Sequence, residues 1–109
     1  ALFFHERLRR EAMPVAGVVA NRVTSRLWGE GPTPGAPALA AALAARGAGG
    51  EELAERLART LTEHEVLARA DAREVARLFS AVPGAQVAVP RLDTDVHDLA
   101  SLARLAALL

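Results

Sequence analysis

Two short, almost wholly apolar segments, Pro14-Val-Ala-Gly-Val-Val-Ala-Asn21 and Gln86-Val-Ala-Val-Pro90, lie far apart in the chain with helix-patterned sequence between them. Each is bounded by turn-forming residues and lacks the alternation of a half-exposed strand. The first therefore reads as a strand buried on two faces and the second as a short buried strand. Strands joined by a long helical connection pair in parallel through a crossover. The expected class is α/β and helix-rich: about two short strands with four helices, ordered helix, strand, helix, long helix, strand, helix. Two strands are too few for a free-standing sheet. Either helices shield the pair, or partner strands lie upstream in a missing portion or in another chain; missing strands are the expectation.

The helical stretches follow from periodicity and punctuation. Residues 1–12 carry Leu2, Phe4, Leu8 and Ala12 on one face, and Pro14 stops them. Nothing before Ala1 caps this helix, there is no initiator Met or signal peptide, and the chain reads as a piece of something longer. Gly29 to Pro37 holds three Gly and three Pro and is expected to be irregular. An Ala-rich helix follows over 37–46, ended by Gly47-Ala-Gly-Gly50. A long helix starts near Glu51, where acidic residues suit its first turn, and runs to the Pro83-Gly84 turn. Leu53, Leu57, Leu61, Leu67, Val75, Leu78 and Phe79 mark its expected buried stripe. Asp95 is the expected N-cap of the last helix, with Asp98 in a capping-box-like position and Leu99, Leu102, Leu105 and Ala106 on the apolar face.

Composition narrows the function classes. At 109 residues and 51% hydrophobic content the chain is the size of one domain, expected over 1–109, and too apolar for intrinsic disorder. It has no cysteine, so disulfide scaffolds, thiolate metal sites and cysteine nucleophiles are excluded. Thirteen basic residues balance thirteen acidic ones, which argues against a nucleic-acid partner. No apolar run approaches the roughly 20 residues of a membrane span. A cytoplasmic location is expected.

In an open parallel sheet, ligands sit beyond the carboxyl ends of the strands. That rule brings Asn21-Arg22 and Pro90-Arg91 to one face. A carboxamide offers an acceptor beside a donor pair, the pattern that engages adenine's exocyclic amine and a neighbouring ring nitrogen. The backbone around Pro90 suits a flat base. The plainer reading of Asn21 is a turn former that ends a strand.

Two stretches carry a family resemblance: Phe4-His-Glu-Arg-Leu-Arg-Arg-Glu-Ala-Met-Pro-Val-Ala-Gly-Val-Val-Ala-Asn-Arg22 and Val87-Ala-Val-Pro-Arg-Leu-Asp-Thr-Asp-Val-His-Asp-Leu99. Together they resemble the C-terminal third of the ArsA-like ATPases, the arsenical-pump-driving and tail-anchored-protein-targeting enzymes, most of all their actinobacterial relatives. The resemblance is weakest between Thr24 and Gly50. It implies a C-terminal fragment of a parallel-sheet P-loop NTPase fold, with Asn21 and Arg22 at adenine and Pro90, Arg91, Leu92 and Asp93 lining the base pocket. It further implies ATP as cofactor, Mg²⁺ held by an absent N-terminal P-loop portion, a homodimer or paralogue dimer, and a client protein. The departures are specific. No G-x-x-x-x-G-K-[ST] pattern occurs, and a chain without Lys has no phosphate-gripping lysine. Thr24-Ser-Arg-Leu-Trp28 stands where some members carry a Cys-x-x-Cys zinc clasp. This chain alone is therefore expected not to hydrolyse ATP.

The remaining constellations have plainer explanations. Glu63-His64-Glu65 points its side chains about 100° apart around a helix, so a solvated face is expected rather than a metal site. Asp93-Thr-Asp-Val-His-Asp98 is acidic enough for Mg²⁺, but helix capping accounts for it. Arg7, Arg9 and Arg10 interleave with Glu6 and Glu11 as intrahelical ion pairs do. Trp28 either anchors the Gly/Pro loop on the core or meets a partner. The alternative to a nucleotide-binding role is a non-enzymatic helical module that dimerises or docks through the helix begun at Glu51.

Overall fold

The computed structural model describes residues 1–29 and 31–109. It is a helix-rich α/β structure with four helices and one two-stranded parallel sheet among the described residues. In chain order the elements are α1 (Leu2–Arg10), β1 (Gly17–Val23), α2 (Ala36–Ala45), α3 (Glu51–Ala81), β2 (Ala85–Pro90) and α4 (Leu99–Leu108). The order matches the sequence expectation. The expected irregular stretch between β1 and α2 has no regular structure at Gly29 or at 31–35, and Glu30 lies outside the described residues. The chain divides into two compact units, one of Ala1–Ser25 with Asp71–Leu109 and one of Arg26–Ala70.

The first unit holds the sheet. α1 ends in a closed turn: Met13 N–H donates to the Leu8 carbonyl at 3.0 Å and Ala12 N–H to that of Arg9 at 3.0 Å. This geometry needs a left-handed residue after the C-cap, and Ala12 supplies it at φ 55°. Pro14 then forbids any return to helix. The Arg/Glu ladder of α1 is present, with Arg7–Glu11 at 3.0 Å and Arg9–Glu6 at 3.4 Å.

Gly17 pairs with Ala85 at the start of the sheet, and Ala85 N–H donates to the Ala16 carbonyl at 3.1 Å. The backbones approach so closely that a Cβ on Gly17 would stand 2.3 Å from the Ala85 oxygen. Gly84, at φ +106°, makes the turn from α3 into β2 where an L side chain is strained. The Gln86 amide closes that turn by donating to the Val82 carbonyl at 2.9 Å. Val82 and Val89 are the buried apolar residues of this unit.

The sheet corrects one expectation. β1 is not covered on two faces: Val19 is 60% exposed, while Val18 and Ala20 are half-buried. α4 likewise begins later than expected. Asp98, not Asp95, is its N-cap, and its carboxylate accepts from the Ser101 N–H at 2.7 Å. Of the apolar face expected on α4, Leu105 is half-buried, whereas Leu99 and Leu102 are exposed.

In the second unit α2 ends in the same closed turn as α1, with Gly47 in the left-handed position and Ala48 N–H donating to Leu43. The inward stripe of α3 in this unit is Ala54, Ala58, Leu61, Glu65 and Ala68: Leu61 is half-buried as expected, whereas Ala54, Ala58 and Ala68 stand one position after the expected Leu53, Leu57 and Leu67. Leu53 and Leu57 are partly exposed and Leu67 is 60% exposed. Small residues rather than leucines make the tightest packing on this helix.

Candidate functional site: the cleft at the carboxyl end of the sheet

The register of the two strands builds the site. Gly17 through Ala20 face Ala85 through Ala88 one for one, and then Val23 faces Pro90. Asn21 and Arg22 are thus two residues opposite one, Val89. This is a β-bulge. Arg22 takes the left-handed conformation at φ 58°, which is uncommon for a residue with a Cβ. The Asn21 side chain supports it, its Oδ1 accepting from the Arg22 N–H at 2.9 Å.

Alternation explains why the bulge falls at this point. Val18 and Ala20 lie on the covered side of β1, so an unbroken strand would carry Arg22 to that side and Val23 to the open one. One extra residue reverses the phase. Arg22 becomes exposed and Val23 half-buried. Arg91 N–H then donates to the Val23 carbonyl at 2.9 Å, continuing the pairing past the bulge.

Around these residues lies a cleft of about 230 Å³ lined by Asn21, Arg22, Pro90, Arg91 and Leu92, with Thr94 to Val96 and Leu105 completing its wall. Five of the six residues expected at the site meet there. Asp93 is not among the lining residues; its carboxylate accepts from the Arg104 guanidinium at 2.9 Å, which holds it below the usual carboxylate range. The cleft is smaller than the roughly 300–1,000 Å³ of drug-sized ligand pockets. It matches one planar ring with its substituents, not a whole nucleoside triphosphate.

Asp71, on α3, belongs to this region although no sequence signal points to it. Its Oδ2 accepts from the Thr24 N–H at 2.7 Å, fixing the chain as it leaves β1. That hydrogen bond, with the nearby charge of Arg91, holds the Asp71 carboxyl below its ordinary value. Among the described residues no carboxylate pairs with the Arg22 guanidinium.

The second unit carries an ionic cluster. Glu65, expected on a solvated face, is buried. Its Oε1 accepts from Arg26 at 2.6 Å and from Arg69 at 3.0 Å. The Arg69 hydrogen bond, then the charge and hydrogen bond of Arg26, lower its pKa against the opposing effect of burial. No signal in the linear sequence links Arg26 to Glu65. Trp28 is 46% exposed. Among the described residues no three His, Cys, Asp or Glu side chains gather as a metal ion requires, and no helix is long and apolar enough to cross a membrane.

Comparison with known proteins finds no matching family model, no matching curated protein and no matching solved structure.

Proposed function

We propose that this chain is the base-binding, carboxyl-terminal segment of an ArsA-like P-loop ATPase, with the cleft at the end of β1 and β2 receiving adenine. The observation that supports this reading is the meeting of Asn21 with Pro90, Arg91 and Leu92 around one base-sized cleft. Asn21 Nδ2 is the donor for a ring nitrogen, and the second lone pair of Oδ1 accepts from the exocyclic amine. Pro90 and Leu92 supply apolar surface for the ring. The open face of β1 at Val19 suits a covering layer, such as a helix, from the P-loop portion. Mg²⁺ and the phosphates of ATP would be held by that portion, and hydrolysis would serve a homodimer or paralogue dimer acting on a client protein.

The test is Asn21→Ala in the protein carrying its P-loop portion. ATP affinity should fall by about 1–3 kcal/mol relative to GTP, the worth of a bidentate base contact. Unchanged discrimination between the two nucleotides removes adenine from the cleft.

A second reading rests on α3. Leu53, Leu57, Val66 and Leu67 are exposed along a helix of 31 residues, about 45 Å long. A helical dimerisation or docking module would use that surface. Light scattering on the chain distinguishes it: a tight dimer dissolved by polar substitutions at Leu53 and Leu57 favours the module.

A further inference from the structure

We propose that Asp71 is the positioning residue of the cleft: from α3 it grips the peptide unit between Val23 and Thr24 and so holds Asn21 at base distance from the wall formed by Pro90, Arg91 and Leu92. This rests on the reading of the cleft as a base site and adds the residue that sets its width.

The Val23–Thr24 peptide is held from both sides. Its N–H donates to Asp71 Oδ2 at 2.7 Å, and its carbonyl accepts from the Arg91 N–H at 2.9 Å. In a trans peptide these two groups point in opposite directions, so the two hydrogen bonds fix the plane between α3 and the end of β2. The Thr24 hydrogen bond keeps the Asp71 carboxyl below its ordinary value, so the acceptor is ionised at neutral pH. A charged acceptor on the N–H polarises the peptide and strengthens the bond that its carbonyl makes. Just before this peptide the chain passes through the bulge, with Asn21 and then Arg22 at φ 58°. Across from it, Arg91 stands between Pro90 and Leu92. All five of these residues line the cleft, whereas Asp71 does not. Asp71 thus acts through the strand ends.

Helix formation does not account for an aspartate at this position. Residue 71 lies inside α3, where Asp is among the poorer helix formers. The residues one turn away are Leu67, Ala68, Glu74 and Val75, so no intrahelical ion pair supports it. Its carboxylate instead reaches across 47 positions of sequence to the peptide that ends the bulge.

The experiment titrates the chain with adenosine, followed by amide NMR shifts, in wild type, Asp71→Ala, Asp71→Asn and Val75→Ala. Asp71→Ala should weaken adenosine binding roughly tenfold, as loss of one charge-assisted hydrogen bond allows. The Asn21, Arg22 and Arg91 amides should shift, and the Arg91 N–H should exchange with solvent faster. Asp71→Asn keeps an oxygen for the Thr24 N–H and should restore most of both. Val75, one turn on along α3, is half-buried and outside the cleft lining. Val75→Ala should therefore lower the melting temperature at unchanged adenosine affinity.

Wild-type affinity in Asp71→Ala overturns the proposal and leaves the base reading standing. So does a loss of affinity in Val75→Ala that matches its loss of stability, because general loosening then explains both variants. An Asp71→Asn variant as weak as Asp71→Ala also overturns it. Wild type that binds no adenosine removes the base reading itself, and the Asp71 assignment falls with it however the amides move.

Discussion

Replacing Gly84 by Ala tests how the sheet, and with it the cleft, is set in register. Gly84 has φ +106°, and an added Cβ would stand 2.3 Å from the Ala16 oxygen and 3.0 Å from its carbonyl carbon. The left-handed backbone alone costs an L residue about 1–2 kcal/mol. The clash falls on the carbonyl that accepts from the Ala85 N–H at 3.1 Å, the hydrogen bond that starts the β1–β2 ladder. Displacing that carbonyl removes a further contribution of about 1 kcal/mol. The restricted unfolded chain returns about 0.4–1 kcal/mol. The net loss is therefore about 2 kcal/mol, a fall in melting temperature on the order of 10 °C for a domain of this size. Urea denaturation followed by circular dichroism reads it as a lower midpoint at unchanged slope. Gly50→Ala is the control, since Gly50 has no positive φ and open space around its Cβ, and it should be neutral or slightly stabilising. A Gly84→Ala midpoint equal to wild type refutes the close approach at Ala16 as the cause of the register that brings Val23 opposite Pro90.

Ala12→Gly should stabilise by up to about 1 kcal/mol, because the closing turn of α1 places Ala12 at φ 55°; an unchanged or lower urea midpoint contradicts that geometry. Acid should destabilise the first unit through Asp71 and Asp98. Their carboxyls are lowered in the fold by the Thr24 and Ser101 hydrogen bonds, so the stability they contribute is present above the ordinary carboxylate pKa of about 4 and lost as pH falls through the depressed values. Asp98→Asn retains a capping oxygen without the charge and should flatten this part of the acid melt. In the second unit Glu65→Gln should lower the melting temperature more than Glu74→Gln, since Glu65 is buried against two guanidiniums and Glu74 meets only exposed Arg77; equal melts of the two variants count against a structural role for the cluster.

How far the fold is legible in the sequence depends on the length scale of each signal. The parallel pairing of β1 and β2 follows from two apolar segments separated by helix, and Pro14 and Gly84 mark their entries. Sequence alone misplaces the N-cap of α4 because Asp95 and Asp98 are equal in kind, and only the position of Ser101 N–H decides between them. The expected stripe of α3 holds at Leu61, Val75, Leu78 and Phe79, which are half-buried, and fails at Leu53, Leu57 and Leu67, whose larger apolar surface draws the eye from the alanines one position on that turn inward instead. The pairing of Arg26 with Glu65 and of Thr24 with Asp71 depends on the path of the chain between them, which no local pattern encodes. The cleft itself is accessible to reasoning, since the carboxyl ends of parallel strands must lie side by side. Asp93 falls outside it because a run of sequence is not a continuous wall: the chain turns after Leu92 and gives Asp93 to Arg104.

The bulge at Asn21-Arg22 joins the plain and the functional readings of these residues. A strand reading Val-Val-Ala-Asn-Arg-Val cannot keep strict alternation without burying a guanidinium or exposing Val23, and either error costs more than one left-handed residue. Packing alone is thus enough to turn Arg22 outward. What packing does not require is that its exit point should fall beside Pro90 and Arg91 at the carboxyl end of the sheet. A bulge two residues earlier, at the Val19 level, would relieve no conflict, because the residues there are apolar. The Asn-Arg pair therefore confines the distortion to the place where a parallel sheet presents its ligand face. If packing were the whole cause, replacing Arg22 by Ala would remove the conflict of charge and the strand could close into regular alternation with Val23 exposed. If the Asn21 Oδ1 contact to the next N–H sets the bulge, Arg22→Ala keeps it, and the amide shifts of Val89 and Arg91 remain those of the bulged register.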